Sequence, residues 1–205
     1  MKGFYVLLLV LLLSFGCVNN ISDNKSNNNK SNNNSHKILY NNSYNSSYNK
    51  SIPQSEVYNM RIYSPEFNDN SMIPKKFTCQ GQDINPQLLF EDIPENAKTL
   101  VLIMDDPDAP MGTWVHWVLF NIPSDVTGIP EDSVPDNAVQ GLNSWSKNNY
   151  GGPCPPSGTH RYFFKLYAID TELALDDTAT KKDVEQAMQG HIIEKAEYVG
   201  LYKKE

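Results

Sequence analysis

The sequence predicts a mostly β fold: two antiparallel sheets packed as a sandwich, with one or a few short peripheral helices. Three observations carry this expectation. The longest apolar stretches, "TLVLIM" (99–104), "TWVHWVLFNIP" (113–123) and "HRYFFKLYAID" (160–170), have strand length and composition. Only one segment, after Thr180, has helical spacing and helix-end signals. The connections are rich in Pro, Gly, Asn and Ser, which favour turns. Strands in that proportion bury their apolar faces most simply by packing sheet on sheet.

Taken in chain order, "MRIYS" near 60–64 and "QLLFED" near 87–92 are short strand candidates. The run 99–104 is continuously apolar, as expected of a strand covered on both faces. In 113–123, alternation puts Trp114, His116, Val118, Phe120 and Ile122 on one face and Val115, Trp117 and Leu119 on the other, and Pro123 ends the strand. From Pro123 to Gly158 the composition is that of a long loop, and loops of that length in compact domains are usually functional or disordered. In 160–170, His160, Tyr162, Phe164, Leu166 and Ala168 alternate with Arg161, Phe163, Lys165, Tyr167 and Ile169. Thr180 with Asp183 forms a capping-box pattern before the apolar stripe Val184, Ala187 and Met188, and Gly190 closes the helix. "IIEKAEYVGLYKK" completes the fold as a strand with Ala196, Tyr198, Gly200 and Tyr202 on one face.

The organisation along the chain is tripartite: 1–17, 18–56 and 57–205. Residues 1–17 carry Lys2, an apolar run from Phe4 to Phe15, and Cys17 after a glycine. This run of twelve residues, apolar except for Ser14, is too short to span a bilayer and fits the core of an export signal. Cys17 stands where a lipoprotein signal has the residue that becomes lipidated. We therefore expect export, either as a lipid-anchored protein on the outer face of the cell membrane or as a secreted one. Residues 18–56 are an Asn/Ser-rich tract too poor in aliphatic residues to fold, hence a tether. It holds seven N-x-S/T triplets, a pattern that also arises by chance in such a composition. Residues 57–205 read as one domain with 22 acidic and 12 basic side chains. With no basic stripe, nucleic-acid binding is not expected. Cys79 and Cys154 form a pair that an oxidising compartment can join, although spacing alone does not show that they meet.

"MDDPDAP" (104–110) ends the first long strand with Asp105, Asp106 and Asp108. Carboxylates at the end of a buried strand need partners. His116 and His160 lie on apolar strand faces and need partners as well. One Asp holding a nitrogen of each imidazole would leave other N–H groups free, making a small donor-rich cavity suited to phosphate or carboxylate. Asp105 is then expected to face solvent or a neighbouring backbone. "YGGPCPPSGTHR" (150–161) is a stiff loop running into His160, fit to wall such a cavity.

"DDPDAP", then "WVHW" leading to "FNIP", then "YGGPCPPSGTHRY", in that order, resemble the phosphatidylethanolamine-binding protein family, also called Raf kinase inhibitor-like proteins. "FTCQGQDINPQL" looks like the bacterial and archaeal branch, and the resemblance spans 60–205. It implies a two-sheet fold with an anion pocket at one end. Carried over by motif, Asp106, His116 and His160 are pocket residues and Asp108 buttresses the loop. Trp114, Gly152, Pro153, Cys154, Pro155 and Pro156 line the mouth. Val115 stands where animal relatives have a second His, and Cys154 where they have Gly. The chain ends soon after "VGLYKK", without the C-terminal helix of mammalian relatives, so kinase partnering is not implied. A homodimer is implied by the bacterial branch.

The function expected is a binding protein for a small anion or phosphorylated head group, needing no cofactor and catalysing no reaction. An alternative is an extracellular serine-protease inhibitor acting through an exposed loop in 124–158. A hydrolase using Cys154 as nucleophile ranks behind both, since prolines flank that cysteine and no G-x-S-x-G is present. A zinc site on Asp106, His116 and His160 is a further alternative, without a supporting spacing motif.

Overall fold

The computed structural model describes residues 59–205, so the expected export signal, the Cys17 lipidation site and the 18–56 tether lie outside the described residues. A six-stranded sheet is the centre of the fold. Its strands are β2 (Ser71–Met72), β4 (Thr99–Asp106), β5 (Trp114–Pro123), β7 (Val139–Gln140), β8 (Thr159–Ile169) and β9 (Ile192–Lys203), ordered β2-β9-β8-β4-β5-β7. A three-stranded sheet, ordered β1-β3-β6, packs on it and comprises β1 (Arg61–Tyr63), β3 (Leu88–Glu91) and β6 (Gly128–Ile129). Pairing is antiparallel except for β2, which runs parallel to β9.

Two apolar clusters explain the sequence pattern. Leu100, Leu102 and Met104 of β4 join Tyr162, Phe164 and Leu166 of β8 and meet Ile62, Leu88, Phe90 and Ile129 of the smaller sheet. Val101 and Ile103 point the opposite way, into a cluster closed by Leu173, Ala179, Val184 and Met188. β4 is thus apolar throughout because it is covered on both faces, by the small sheet on one side and by helix α1 (Lys181–Ala187) and the segment before it on the other. Each large side chain buried this way contributes about 1.5–3 kcal/mol of transfer free energy. α1 begins as expected, with Thr180 and Asp183 capping each other's backbone N–H groups.

Two details depart from simple alternation. β5 carries one extra residue between the pairs Leu100↔Ile122 and Leu102↔Leu119, where Asn121 adopts a left-handed φ of 54°. A second extra residue lies between Met104↔Trp117 and Asp105↔Val115, at His116. Each insertion reverses the parity of the strand. Ile122 therefore joins Trp117 and Leu119 in the inter-sheet core, while Val118 and Phe120 face the helix side, which corrects the face assignment expected from period two. The expected loop 123–158 also contains two short strands, β6 and β7, each of two residues, too brief to leave a pattern.

Candidate ligand pocket

The site forms where β4, β5 and β8 end beside the loop 150–158. Asp106, the last residue of β4, is 3% exposed and shares the inter-sheet face with His160. Its Oδ2 accepts from His160 Nδ1 at 2.7 Å, and its Oδ1 accepts from the Asp108 amide at 2.8 Å. The second bond turns the chain sharply after the strand. Asp108 then accepts from the Arg161 amide (3.0 Å), Nε (2.9 Å) and Nη2 (2.6 Å), tying the 107–113 loop to β8. The Arg161 guanidinium holds the Asp108 carboxyl down at about 2. The expected buttress role of Asp108 thus has a specific partner.

His116 takes a different partner from the one expected. Its Nδ1 lies 2.6 Å from the Gly151 carbonyl oxygen, while the Gly151 amide donates to the His116 carbonyl at 3.0 Å. Asp106 therefore holds one histidine, not two. The β5 bulge falls at His116, whose ring bonds to the 150–158 loop. A carbonyl only accepts, so His116 Nδ1 carries the hydrogen, and in the neutral ring Nε2 presents a lone pair. Burial pushes the His116 imidazole below its ordinary value, although the Gly151 carbonyl and Asp106 oppose the shift. The expected array of free N–H donors is therefore corrected: with His160 Nδ1 engaged by Asp106 and His116 Nδ1 by Gly151, neither Nδ1 is available to a ligand.

Next to these groups opens a cavity of about 400 Å³. Asp106, Trp114, His116, Cys154, Pro155 and Pro156 line it, together with Ala109, Pro110, Met111 and Trp145. Of the other residues expected at the site, the mouth residues Gly152 and Pro153 are buried and do not line the cavity, and neither do the pocket histidine His160, bonded to Asp106, and the buttress Asp108. Gly152 is required there because a Cβ would come within 2.6 Å of both the Phe77 carbonyl oxygen and Asp83 Oδ1, the atom that accepts its N–H. The sulfurs of Cys79 and Cys154 are bonded, with Cα atoms 5.5 Å apart, so Cys154 is a wall residue and not a free thiolate nucleophile. Among the described residues no three His, Cys, Asp or Glu side chains gather as a metal site.

Sequence reasoning did not single out Tyr162, which packs behind the cavity wall, or the lining residues Ala109, Pro110, Met111 and Trp145. Tyr162 is fully buried with its ring 5.1 Å from that of His116, and its hydroxyl, near the Cys154 backbone and the Asp106 carboxylate, meets neither in good hydrogen-bonding geometry. Burial and the Asp106 carboxylate push its phenol well above the ordinary value, so it stays a hydroxyl donor. Its position two residues after His160 on the same strand face was the available signal. Trp145, in the long loop, carried none.

Asp105 points away from the pocket. It is fully buried and holds Lys165 Nζ at 2.8 Å and Lys181 Nζ at 2.5 Å. This corrects the expectation that it faces solvent or backbone: β4 alternation sends it into the helix-side cluster, where only cations can offset its burial.

The comparisons agree with this architecture. The family model described as phosphatidylethanolamine-binding protein matches residues 63–203. A UPF0098 protein of Methanothermobacter thermautotrophicus is 49% identical over 150 residues, covering 71% of this chain and 99% of its own. One from Aquifex aeolicus is 48% identical over 153 residues, covering 71% and 90%. Among solved structures, one titled as a phosphatidylethanolamine-binding protein homolog from Chlamydia trachomatis superposes with a TM-score of 0.70 at 43% identity, covering 72% of this chain and 99% of that one. E. coli YbcL, titled a new member of the mammalian family, gives 0.68 at 29% identity, covering 72% and 100%. With two sheets, the Asp106–His160 pair and the proline-walled cavity in place, the match over most of the chain shows that this protein belongs to the phosphatidylethanolamine-binding protein family.

Proposed function

We propose that the chain is an exported, membrane-tethered binding protein whose pocket holds a small ligand bearing a phosphate, a phosphorylated head group or a carboxylate. One observation carries this reading: the Tyr162 hydroxyl, buried beside the His116 ring, lacks a hydrogen-bond partner among the described residues, and the adjoining cavity is mostly apolar with Asp106 and His116 as its titratable wall residues. Buried polar groups in native proteins are almost always satisfied, so a ligand oxygen that reaches this hydroxyl relieves a penalty of about 1–3 kcal/mol. Tyr162 donates to a ligand oxygen. His116 Nε2 accepts, so the oxyanion arrives with a proton, either its own or one taken up by the imidazole. Binding without turnover is favoured because Cys154 is committed to Cys79. The outer-face location rests on Lys2, the run Phe4–Phe15 and Cys17.

Calorimetric titration of the full chain with inorganic phosphate and phosphoethanolamine, beside Tyr162→Phe and His160→Ala, tests the reading. Saturable heat in the wild type that both variants lose is the expected result. No heat from a folded wild-type protein would overturn it and favour the protease-inhibitor reading, for which the exposed Val134 and Trp145 are contact candidates.

A further inference from the structure

We propose that Trp145 is a positioning residue that sets ligand specificity. By covering the His116–Gly151 hydrogen bond it holds His116 as the Nδ1–H tautomer, so the pocket prefers oxyacids that carry a proton over those that must draw one from the imidazole. The inference rests on the binding reading above and assigns a role to a residue that no motif marks.

The placement of Trp145 is over-determined. Buried Asn143 organises its turn: Oδ1 accepts from the Trp145 amide at 2.9 Å and the Lys147 amide at 3.1 Å, and the Asn143 amide donates to the Lys147 carbonyl at 2.9 Å. Ser144 then fastens this turn to β5 one residue before His116. Its Oγ accepts from the Val115 amide at 2.8 Å, and its amide donates to the Val115 carbonyl at 2.9 Å. Held this way, the Trp145 ring meets the His116 ring edge-on with centroids 5.2 Å apart and the Trp114 ring at 5.3 Å. It also lies on Gly151, where a Cβ would come 2.5 Å from its ring. The residue whose carbonyl fixes the tautomer and the histidine that is fixed are thus under one indole. Trp145 as a whole is 41% exposed.

The charged groups around His116 would by themselves favour an imidazolium. Asp106 lies beside it, Asp83 lies behind Gly151 and Gly152, and Asp105 lies across the strand with its charge met by Lys165 and Lys181. Tyr162 packs on its ring, and His160 is occupied with Asp106. What opposes protonation is exclusion of water, and Trp145 supplies the solvent-side part of it. Removing the indole lets water compete for the Gly151 carbonyl and hydrate the imidazolium. The neutral ring shows the cavity a lone pair. Dihydrogen phosphate or a singly ionised phosphate monoester donates its P–OH hydrogen to that lone pair and accepts from Tyr162. Sulfate has the same shape and no hydrogen to give, so it leaves Nε2 facing an anion oxygen.

The full chain is titrated calorimetrically with phosphate and with sulfate at pH 6.5, as wild type, Trp145→Ala and Trp145→Phe. In parallel, imidazole nitrogen NMR of the ligand-free proteins follows the His116 tautomer and its titration. The wild type is expected to show the Nδ1–H form and to prefer phosphate by about tenfold or more, as for sites that require a hydrogen bond from the ligand. Trp145→Ala is expected to titrate at higher pH, with mixed tautomers and a preference reduced at least several-fold, and Trp145→Phe to restore both. An unchanged His116 spectrum in Trp145→Ala overturns the role of Trp145 even if phosphate binds. Absence of phosphate binding in the wild type overturns the pocket reading and with it the selectivity, while the tautomer half is then judged on the NMR alone. Equal affinity for sulfate and phosphate in the wild type overturns the proton requirement.

Discussion

His116 Nδ1 sits 2.6 Å from the Gly151 carbonyl oxygen, across 35 residues of sequence, and under the proposed function that contact sets how an anion would be met. A ligand such as acetate has a fixed charge between pH 6 and 8, so its hydrogen-bonding proton must come from the protein. Its affinity is expected to rise as pH falls through this range, approaching about tenfold per pH unit where one proton is taken up per site. Calorimetry in two buffers of different ionisation enthalpy counts that proton. A pH-independent affinity would show that His116 takes no part.

The same histidine shapes stability. Its folded pKa lies below the unfolded value of about 6.5, so below that pH the unfolded chain binds the proton first. Stability is therefore full above the unfolded pKa and declines as pH falls below it towards the folded pKa. A second decline is expected at lower pH, because Asp108 is held at about 2 and its contribution is lost between the ordinary carboxylate range and that value. Urea midpoints measured from pH 7.5 to 3 should show the first loss in the wild type, and His116→Gln should remove it.

Joining Cys79 to Cys154 closes a loop across 75 residues, which the chain-entropy relation values at about 4.5 kcal/mol. Cys79→Ser is expected to lower the unfolding free energy by up to that amount. The loop's first half keeps other ties: the Tyr150 hydroxyl to the Phe77 carbonyl at 2.8 Å, the Gly152 amide to Asp83 at 2.7 Å, and the Cys79 amide to the Pro153 carbonyl at 3.2 Å. Weaker phosphate binding with an intact His116 signal would place the change in the Pro155–Pro156 wall. Loss of both would show that the disulfide supports the whole site.

Asp105 is expected to matter for folding more than its lysines do. Asp105→Ala leaves two ammonium groups against a closed cluster and should cost about 3–5 kcal/mol, as breaking buried ion pairs does. In Lys181→Met the carboxylate keeps Lys165, so a cost of about 1 kcal/mol is expected. At present burial opposes charge on Lys181 and the Asp105 carboxylate outweighs it, leaving that ammonium above its ordinary pKa. Denaturant unfolding of the two variants gives the comparison, and equal costs would mean that both lysines are needed.

The sequence by itself determined the elements and the residues that furnish the pocket. Apolar runs marked β4, β5 and β8, a reciprocal cap marked α1, and three ordered motifs brought Asp106, His116, His160 and the 150–158 loop into view. These are local signals, written in side-chain chemistry at spacings of two to four residues, so they can be read without knowing the fold. Only the tertiary structure decided which partner each group takes. Of two inserted residues in β5, the one at Asn121 reversed a strand face, and the one at His116 falls where that histidine bonds to Gly151 instead of Asp106. Strand parity put Asp105 among lysines contributed by β8 and α1, and a turn built on Asn143 laid Trp145 over the histidine. Those outcomes depend on ångström-scale distances between segments far apart in the chain, and no local pattern encodes them.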